Sequence, residues 1–334
     1  VRVALAASPG GHIDLLIALR TAVERFDRTW VLPEGARLDA LAAAGERTTP
    51  VRIFGSSPIR LIGNLRDVGR SLRRVRPGLV VTSGAGVAVP YCLAARALGA
   101  RIVYMETMAR VTSGSKAGRV LSRIADATLV QWSESLDVYP GARVCSPALL
   151  GAGAVAPAPL EQEVRRGTFV ALGTHWQPFN RLMEIVDRAA RDGVLPGPVT
   201  AQVGDFTYES TRIETVSSVS PARLDELIRG SEIMVCHGGA GIIATALRAG
   251  RRPLALARRA ADGEHIDDHQ HEIVDKLTSL GLLTRLGDSI TEQDVQSGRQ
   301  ELSGRLPLPG EDMRTALREI VETLVESAQF ARAR

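Results

Sequence analysis

Short apolar runs alternate with helix-length amphipathic segments almost from end to end of this chain, and that alternation constrains its fold more than any other feature. Strand followed by helix followed by strand is the pattern of parallel sheets covered by helices on both faces. RVALAA (2–7) leads into a helix expected from Ile13 to Arg25, then TWVL, a helix near Leu38, VRIF, a helix from Ile59 to Arg74, and LVVT. A helix from Val87 to Leu98, the strand RIVYME, a helix from Ala117 to Ile124 and the strand ATLV complete a six-strand Rossmann-like unit. GAGAVAPAP (151–159) is small, proline-punctuated and aperiodic, which marks a linker. A second unit then restarts with TFVALG, PVTAQ, RIETV, EIMVC, RPLALA and LLTRL as strands. The intervening helices are expected at Phe179 to Arg191, Pro221 to Arg229, Gly241 to Ala249 and Asp268 to Leu280, with a last amphipathic helix from Glu311 to Ala331. The expected architecture is α/β, with two Rossmann-like doubly wound domains facing a cleft. Residues 1–158 and 159–310 form the domains and 311–334 the C-terminal helix; ligands are expected at the carboxyl ends of the strands.

A chain of 334 residues with 45% hydrophobic and 23% charged content has an ordinary soluble composition and enough length for two cores. No basic, apolar leader pattern opens it, and no apolar run approaches the roughly 20 residues that span a bilayer. Cys92, Cys145 and Cys236 are odd in number and widely spaced, which fits reduced thiols and a cytoplasmic location. Residues 1–158 carry 20 Lys plus Arg against 11 Asp plus Glu, a net of +9. The remaining residues carry 21 against 26, a net of −5. Only Lys116 and Lys276 are lysine, so the arginine usage reflects a GC-rich genome and no nucleic-acid partner is expected. The basic bias has one notable cluster. In PIRLIGNLRDVGRSLRRVRP, Ile59, Leu61, Ile62, Leu65 and Val68 alternate with Arg60, Arg66, Arg70, Arg73, Arg74 and Arg76. That segment is either a face that docks on anionic membrane, such as the inner face of the plasma membrane, or an ordinary Rossmann helix with its apolar side on the sheet.

Five segments carry candidate chemistry. SPGGH (Ser8 to His12) follows the first strand: Gly10 and Gly11 permit a tight turn at a helix N-terminus, and His12 is suited to take a proton from a hydroxyl. The alternative is a plain glycine turn capped by His12. TSGAGVAVP (Thr82 to Pro90), with Gly84 in its turn, is either an acceptor-contacting loop or an ordinary strand-to-helix turn. Beyond it Glu106 closes a strand and is expected to contact the acceptor, and Lys116, Arg119 and Arg123 share one side of a helix whose default explanation is a solvated face. LGTHWQPFNRL places Gly173 and Thr174, and CHGGAG places His237, Gly238 and Gly239, at two further helix N-termini suited to a diphosphate. In GEHIDDHQ, after Arg258, the groups of Glu264, His265, Asp268 and Gln270 suit sugar hydroxyls. His265 and His269, four apart, raise a metal site as a rival, but His271 falls on another face and no HExxH is present, so no metal is expected.

Together, SPGGH, the run from YMET through ADATLVQW, LGTHWQPFNRL, CHGGAG and R-x4-GEHIDDHQ resemble a family of GT-B glycosyltransferases over nearly the whole chain. The first half resembles the acceptor subunit, and the second the donor subunit, of bacterial two-component exopolysaccharide β-glucuronosyltransferases. The pair is also similar to the eukaryotic two-subunit N-acetylglucosaminyltransferase of dolichol-linked oligosaccharide assembly and, more distantly, to the enzyme that makes lipid II. The resemblance implies a metal-independent, inverting enzyme with no cofactor, using a UDP-sugar as substrate and a lipid-linked acceptor such as a polyprenyl-diphosphate saccharide or a phosphoglycolipid precursor. It implies His12 as general base and Gly10 and Gly11 as the acceptor turn. Gly173, Thr174, His237, Gly238 and Gly239 fall on the nucleotide diphosphate, and Glu264, His265, Asp268 and Gln270 on the sugar. Arg258, with Arg259 beside it, is expected to grip the carboxylate of a uronic acid, the alternatives being that it neutralises the diphosphate or pairs with Asp262 or Glu264. The chain departs from the family where Thr245 replaces a ribose-binding glutamate and Ile242 a frequent serine. An epimerase of the same fold and a non-catalytic nucleotide-sugar sensor are the alternatives.

Overall fold

The computed structural model of the protein describes residues 1–8, 10–52, 58–150, 155–156, 165–173, 177–306, 308 and 310–332, with backbone alone at 58–64, 155–156, 305 and 328–332. The chain divides into two units, Val1–Ala152 with Pro309–Arg334, and Gly153–Leu308.

The first unit is a seven-stranded parallel sheet. Its strands are β1 (Arg2–Ala7), β2 (Asp27–Leu32), β3 (Thr48–Pro50), β4 (Leu79–Gly84), β5 (Arg101–Met105), β6 (Ala127–Val130) and β7 (Arg143–Val144), in the spatial order β3-β2-β1-β4-β5-β6-β7. The apolar run of β1 is explained by burial on both faces. Val3, Leu5 and Ala7 join one core, with Leu16 of α1 (Gly11–Leu19), Trp30 and Leu38 of α2 (Ala36–Ala43). Ala4 and Ala6 join the opposite core, with Val68 of α3 (Pro58–Val75), Tyr91 of α4 (Ala88–Ala97) and Leu121 of α5 (Lys116–Ile124). The third strand falls at Thr48–Pro50, just before the expected VRIF, of which residues 53 and 54 lie outside the described residues. It is an edge strand, where a proline costs no central ladder bond.

In the second unit β9 (Thr168–Ala171), β10 (Val199–Gln202), β11 (Ile213–Val216), β12 (Ile233–His237), β13 (Leu254–Leu256) and β14 (Thr284–Arg285) form a parallel sheet in the order β11-β10-β9-β12-β13-β14. Helices α6 (Asn180–Arg191), α7 (Pro221–Gly230), α8 (Ala240–Arg248), α9 (His269–Ser279) and α10 (Glu292–Arg299) accompany it. Short strands β8 (Val155–Ala156) and β15 (Gly304–Arg305) pair antiparallel, so part of the expected linker is ordered backbone of this unit. The last helix, α11 (Met313–Arg332), returns to the first unit, where Met313, Ala316, Leu317, Val321 and Val325 complete the core around Leu16 and Trp30. Its entry is pinned by the Ser146 N–H donating to the Glu311 carbonyl at 2.7 Å and by Arg143 paired with Glu311 and Glu319.

Chain order reverses once in each sheet, between β1 and β4 and between β9 and β12. Such switch points open a crevice beyond the carboxyl ends of the strands, the general ligand position in open α/β sheets.

Candidate active site

At the first switch point, Gly10 adopts φ +88°, and its carbonyl accepts the Ile13 N–H at 3.1 Å to start α1. A Cβ added at Gly11 would meet nothing within 4 Å, so that turn is open on its outer side. His12, half-buried on the first helical turn, has Nδ1 2.9 Å from the Ser83 carbonyl at the end of β4. A carbonyl oxygen only accepts, so in the neutral ring Nδ1 carries the proton and Nε2 the lone pair. Ser83 Oγ donates back to the His12 carbonyl at 3.0 Å, so the helix and the strand end hold each other by two bonds. Thr82 Oγ1 donates to the Ala6 carbonyl at 2.7 Å and accepts the Gly84 N–H at 3.0 Å, fixing the strand end beside β1. Gly84 sits at φ +90°, a backbone that favours glycine, and a Cβ there would crowd the Tyr104 ring at 3.2 Å.

Glu106, 1% exposed, has both carboxylate oxygens engaged. Oε2 accepts from Tyr104 Oη at 2.8 Å, Tyr139 Oη at 2.5 Å and the Ser115 N–H at 3.2 Å, while Oε1 accepts the Thr107 N–H at 2.9 Å. Burial, followed by this carboxylate, pushes both phenol pKa values up. Glu106 therefore shapes the loop between β5 and α5, a positioning task in place of the direct acceptor contact expected of it. Lys116, Arg119 and Arg123 on α5 are exposed, as a solvated face requires.

At the second switch point two glycine turns close on one imidazole. His237 ends β12, and its Nδ1 lies 3.3 Å from the Ala171 carbonyl of β9. A Cβ on Gly173, at φ +81°, would come within 2.6 Å of His237 Cε1, and one on Gly239 within 2.8 Å of the same atom. Only glycine lets both turns approach the ring. Gly238 faces α9, where a Cβ would be 2.9 Å from that of Gln270. Gly173, His237, Gly238, Gly239 and Gln270 are thus one cluster; Thr174 lies outside the described residues.

Arg258 is 1% exposed. Its Nη1 donates to the carbonyls of Gln177 at 2.8 Å, Pro178 at 3.4 Å and Glu264 at 2.9 Å, and Nη2 to that of Leu172 at 3.0 Å, with the guanidinium 4.6 Å over the Phe179 ring. Desolvation lowers its pKa to about 10 against the pull of Glu264. Where a donor carboxylate or the diphosphate was expected, this side chain meets backbone carbonyls and ties three segments together below the surface. The exposed arginine is Arg259, 3.7 Å from Asp262 and 3.6 Å from Asp288.

Glu264, 5% exposed, is held by Arg181, Nε to Oε1 at 3.1 Å and Nη2 to Oε2 at 2.8 Å, and accepts the Arg259 N–H at 2.8 Å. Asp268 accepts the Ala260 N–H at 2.8 Å, and Gln270 Oε1 the Arg258 N–H at 3.1 Å. These three build the turn that was expected to read sugar hydroxyls through them. Helix α9 begins only at His269, so His265 and His269 meet through a turn and not along a helical face, with Asp267 between them. Arg181 and Ser83 were not singled out in the sequence, because neither residue type marks a partner 83 or 71 positions away. At the remaining position of interest, the Thr245 hydroxyl donates to the Gly241 carbonyl at 2.9 Å within α8.

Comparison with known proteins agrees with this layout. Residues 53–147 match the family described as oligosaccharide biosynthesis protein Alg14 like, and residues 168–301 match the glycosyltransferase family 28 C-terminal domain. The human UDP-N-acetylglucosamine transferase subunit ALG14 is 37% identical over 75 residues, covering 21% of this chain and 35% of that protein, so the chain spans about a third of that relative's length. The Xylella fastidiosa UDP-N-acetylglucosamine–N-acetylmuramyl-(pentapeptide) pyrophosphoryl-undecaprenol N-acetylglucosamine transferase is 26% identical over 302 residues, covering 83% of this chain and 80% of that protein. Among solved structures, Acinetobacter baumannii MurG superposes with a TM-score of 0.64 at 15% identity, covering 96% of this chain and 99% of that one. The UDP-N-acetylglucosamine 2-epimerase from Rickettsia bellii gives 0.70 at 12% identity, covering 98% and 96%. Two parallel-sheet Rossmann-like units, with an Alg14-like match in the first and a match to the family 28 C-terminal domain in the second, give the chain the GT-B fold.

Proposed function

We propose that this chain is an inverting glycosyltransferase that moves a sugar from a UDP-sugar to a lipid-linked acceptor, with His12 as general base. The observation that carries the reading is the His12 Nδ1 bond to the Ser83 carbonyl, which puts the neutral ring's proton on Nδ1 and makes Nε2 its basic nitrogen. The acceptor oxygen bonds to C1 of the sugar as the bond from C1 to the diphosphate oxygen breaks. Its proton passes to Nε2, and attack from the side opposite the leaving group inverts the anomeric centre. The Gly173 and Gly238–Gly239 turns are the proposed seat of the nucleotide diphosphate. There the amides opening α8 meet the negative charge that grows on the leaving group, and no step is assigned to a metal or cofactor.

The names of the human and Xylella relatives support N-acetylglucosamine as the sugar, and the Xylella name supports a polyprenyl-diphosphate acceptor. A uronic acid donor is the second reading, now resting on the half-exposed Arg259. Docking on anionic membrane, on its cytoplasmic side, is supported by Leu65, 53% exposed beside Arg66 on α3, whereas Val68 belongs to the core. Sedimentation with anionic liposomes at low salt checks the docking, and absence of binding rejects it. The function is tested by incubating the protein with labelled UDP-sugars, including UDP-N-acetylglucosamine and UDP-glucuronate, with and without membrane lipid extract. Label in the lipid phase supports transfer; isomerised donor or binding alone assigns the chain to the epimerase or sensor class.

A further inference from the structure

We propose that His265, Asp267 and His269 bind one borderline divalent metal ion, with Zn²⁺ as its type. One ligand atom from each residue lies within 4.8 Å of the others. The two rings meet edge to face, with centroids 4.8 Å apart and planes at 78°. Asp267 Oδ1 is shared: it is hydrogen-bonded to His269 Nδ1, and His265 Nδ1 stands 3.4 Å away. His265 Nδ1 accepts the Asp267 N–H at 3.4 Å, so this nitrogen is the unprotonated one of the neutral ring, the form that ligates a metal.

The donor set selects the ion. Two imidazoles and one carboxylate suit zinc-like ions with a fourth position open, whereas Mg²⁺ and Ca²⁺ call for oxygen ligands. With metal–ligand bonds of about 2.0–2.1 Å in a tetrahedron, ligand atoms stand roughly 3.3 Å apart. The His265–Asp267 spacing already matches, and the closer His269–Asp267 pair is held by the proton that the ion would displace. The imidazoles are constrained, at 11% and 20% side-chain exposure, while Asp267 at 37% has room to turn. Ile266, 79% exposed, shows that the turn faces solvent and gives an ion an entry path. The bound ion would pin the turn before α9, and its test reads metal binding directly, whether or not transfer occurs.

The test is titration of the EDTA-treated, dialysed full chain with ZnCl₂ by calorimetry and with CoCl₂ by visible absorption, fold being checked by circular dichroism. Saturable one-to-one binding is expected, with a tetrahedral Co²⁺ spectrum and proton release on loading. Asp267→Asn and His269→Ala should each weaken Zn²⁺ at least tenfold, a loss no smaller than removal of an outer-shell contact produces. His271→Ala should leave affinity within about twofold, since its side chain lies outside the three-ligand group. Absence of saturable binding to the wild-type chain overturns the proposal. So does binding that survives both ligand substitutions, or that His271→Ala abolishes.

Discussion

Replacing Arg258 by Gln separates a buried tie from a ligand-gripping arginine. The wild-type guanidinium makes four hydrogen bonds to backbone carbonyls, at 2.8, 2.9, 3.0 and 3.4 Å. Charge-assisted bonds are worth about 1.5–3 kcal/mol each, so a simple sum approaches 10 kcal/mol. That sum overstates the loss. Burial has already lowered the guanidinium pKa to about 10, so desolvation works against the native tie and is relieved in the variant. A net loss of about 2–4 kcal/mol is expected, the scale of breaking a buried network. For a unit of this size that lowers Tm by roughly 5–15 °C, and calorimetric scanning measures it. Because Leu172 precedes Gly173, UDP affinity should fall with it, alike for neutral and uronate donors. A Tm within about 1 °C of wild type, with a loss confined to uronates, would refute the buried-tie reasoning.

His12→Ala should lower kcat by about 10²- to 10⁴-fold with UDP affinity nearly unchanged, measured by label transfer and by calorimetry. Gly173→Ala should cost about 1–2 kcal/mol for its left-handed backbone alone and weaken UDP binding further, since its Cβ would stand 2.6 Å from His237 Cε1; unchanged binding counts against the second switch point as the donor site. Asp126 gives a pH signature. Burial alone would raise its carboxyl pKa, but the Ile102 N–H, Arg101 and Arg96 outweigh burial and hold it below the ordinary value. A depressed carboxyl contributes stability above its unfolded pKa and loses it as pH falls through the folded value. Asp126→Asn should therefore lower stability at pH 7 and flatten its decline below about pH 4, read from urea unfolding across pH.

The parallel sheets were legible because strands buried on both faces must be apolar throughout, and β1, β4, β9 and β12 each run straight into a glycine turn. Strand β7 was not, since two residues of edge strand make no run. Helix α10 also escaped. EQDVQSGR buries only Val295 and Gly298, and its clearest signal is the Thr291–Asp294 capping box. The return of α11 to the first unit was invisible because an amphipathic stripe records that a face is buried but not against what. At the site, sequence shows which polar groups are present and not which are already satisfied. Glu264 and Arg258 looked ligand-facing until Arg181 and the carbonyls of Leu172, Gln177 and Pro178 were found to occupy them. The place of His12 on the first turn of α1 was readable from the glycines before it, whereas its tautomer depends on Ser83 arriving from another strand.

The most direct test of the central claim is the anomeric configuration of the product formed from an α-linked UDP-sugar and a polyprenyl-diphosphate acceptor, determined by NMR for the wild type alongside the turnover of His12→Ala. The account predicts a β-linked glycolipid and near-complete loss of transfer in the variant. An α-linked product, or wild-type turnover in a folded His12→Ala protein, would contradict it.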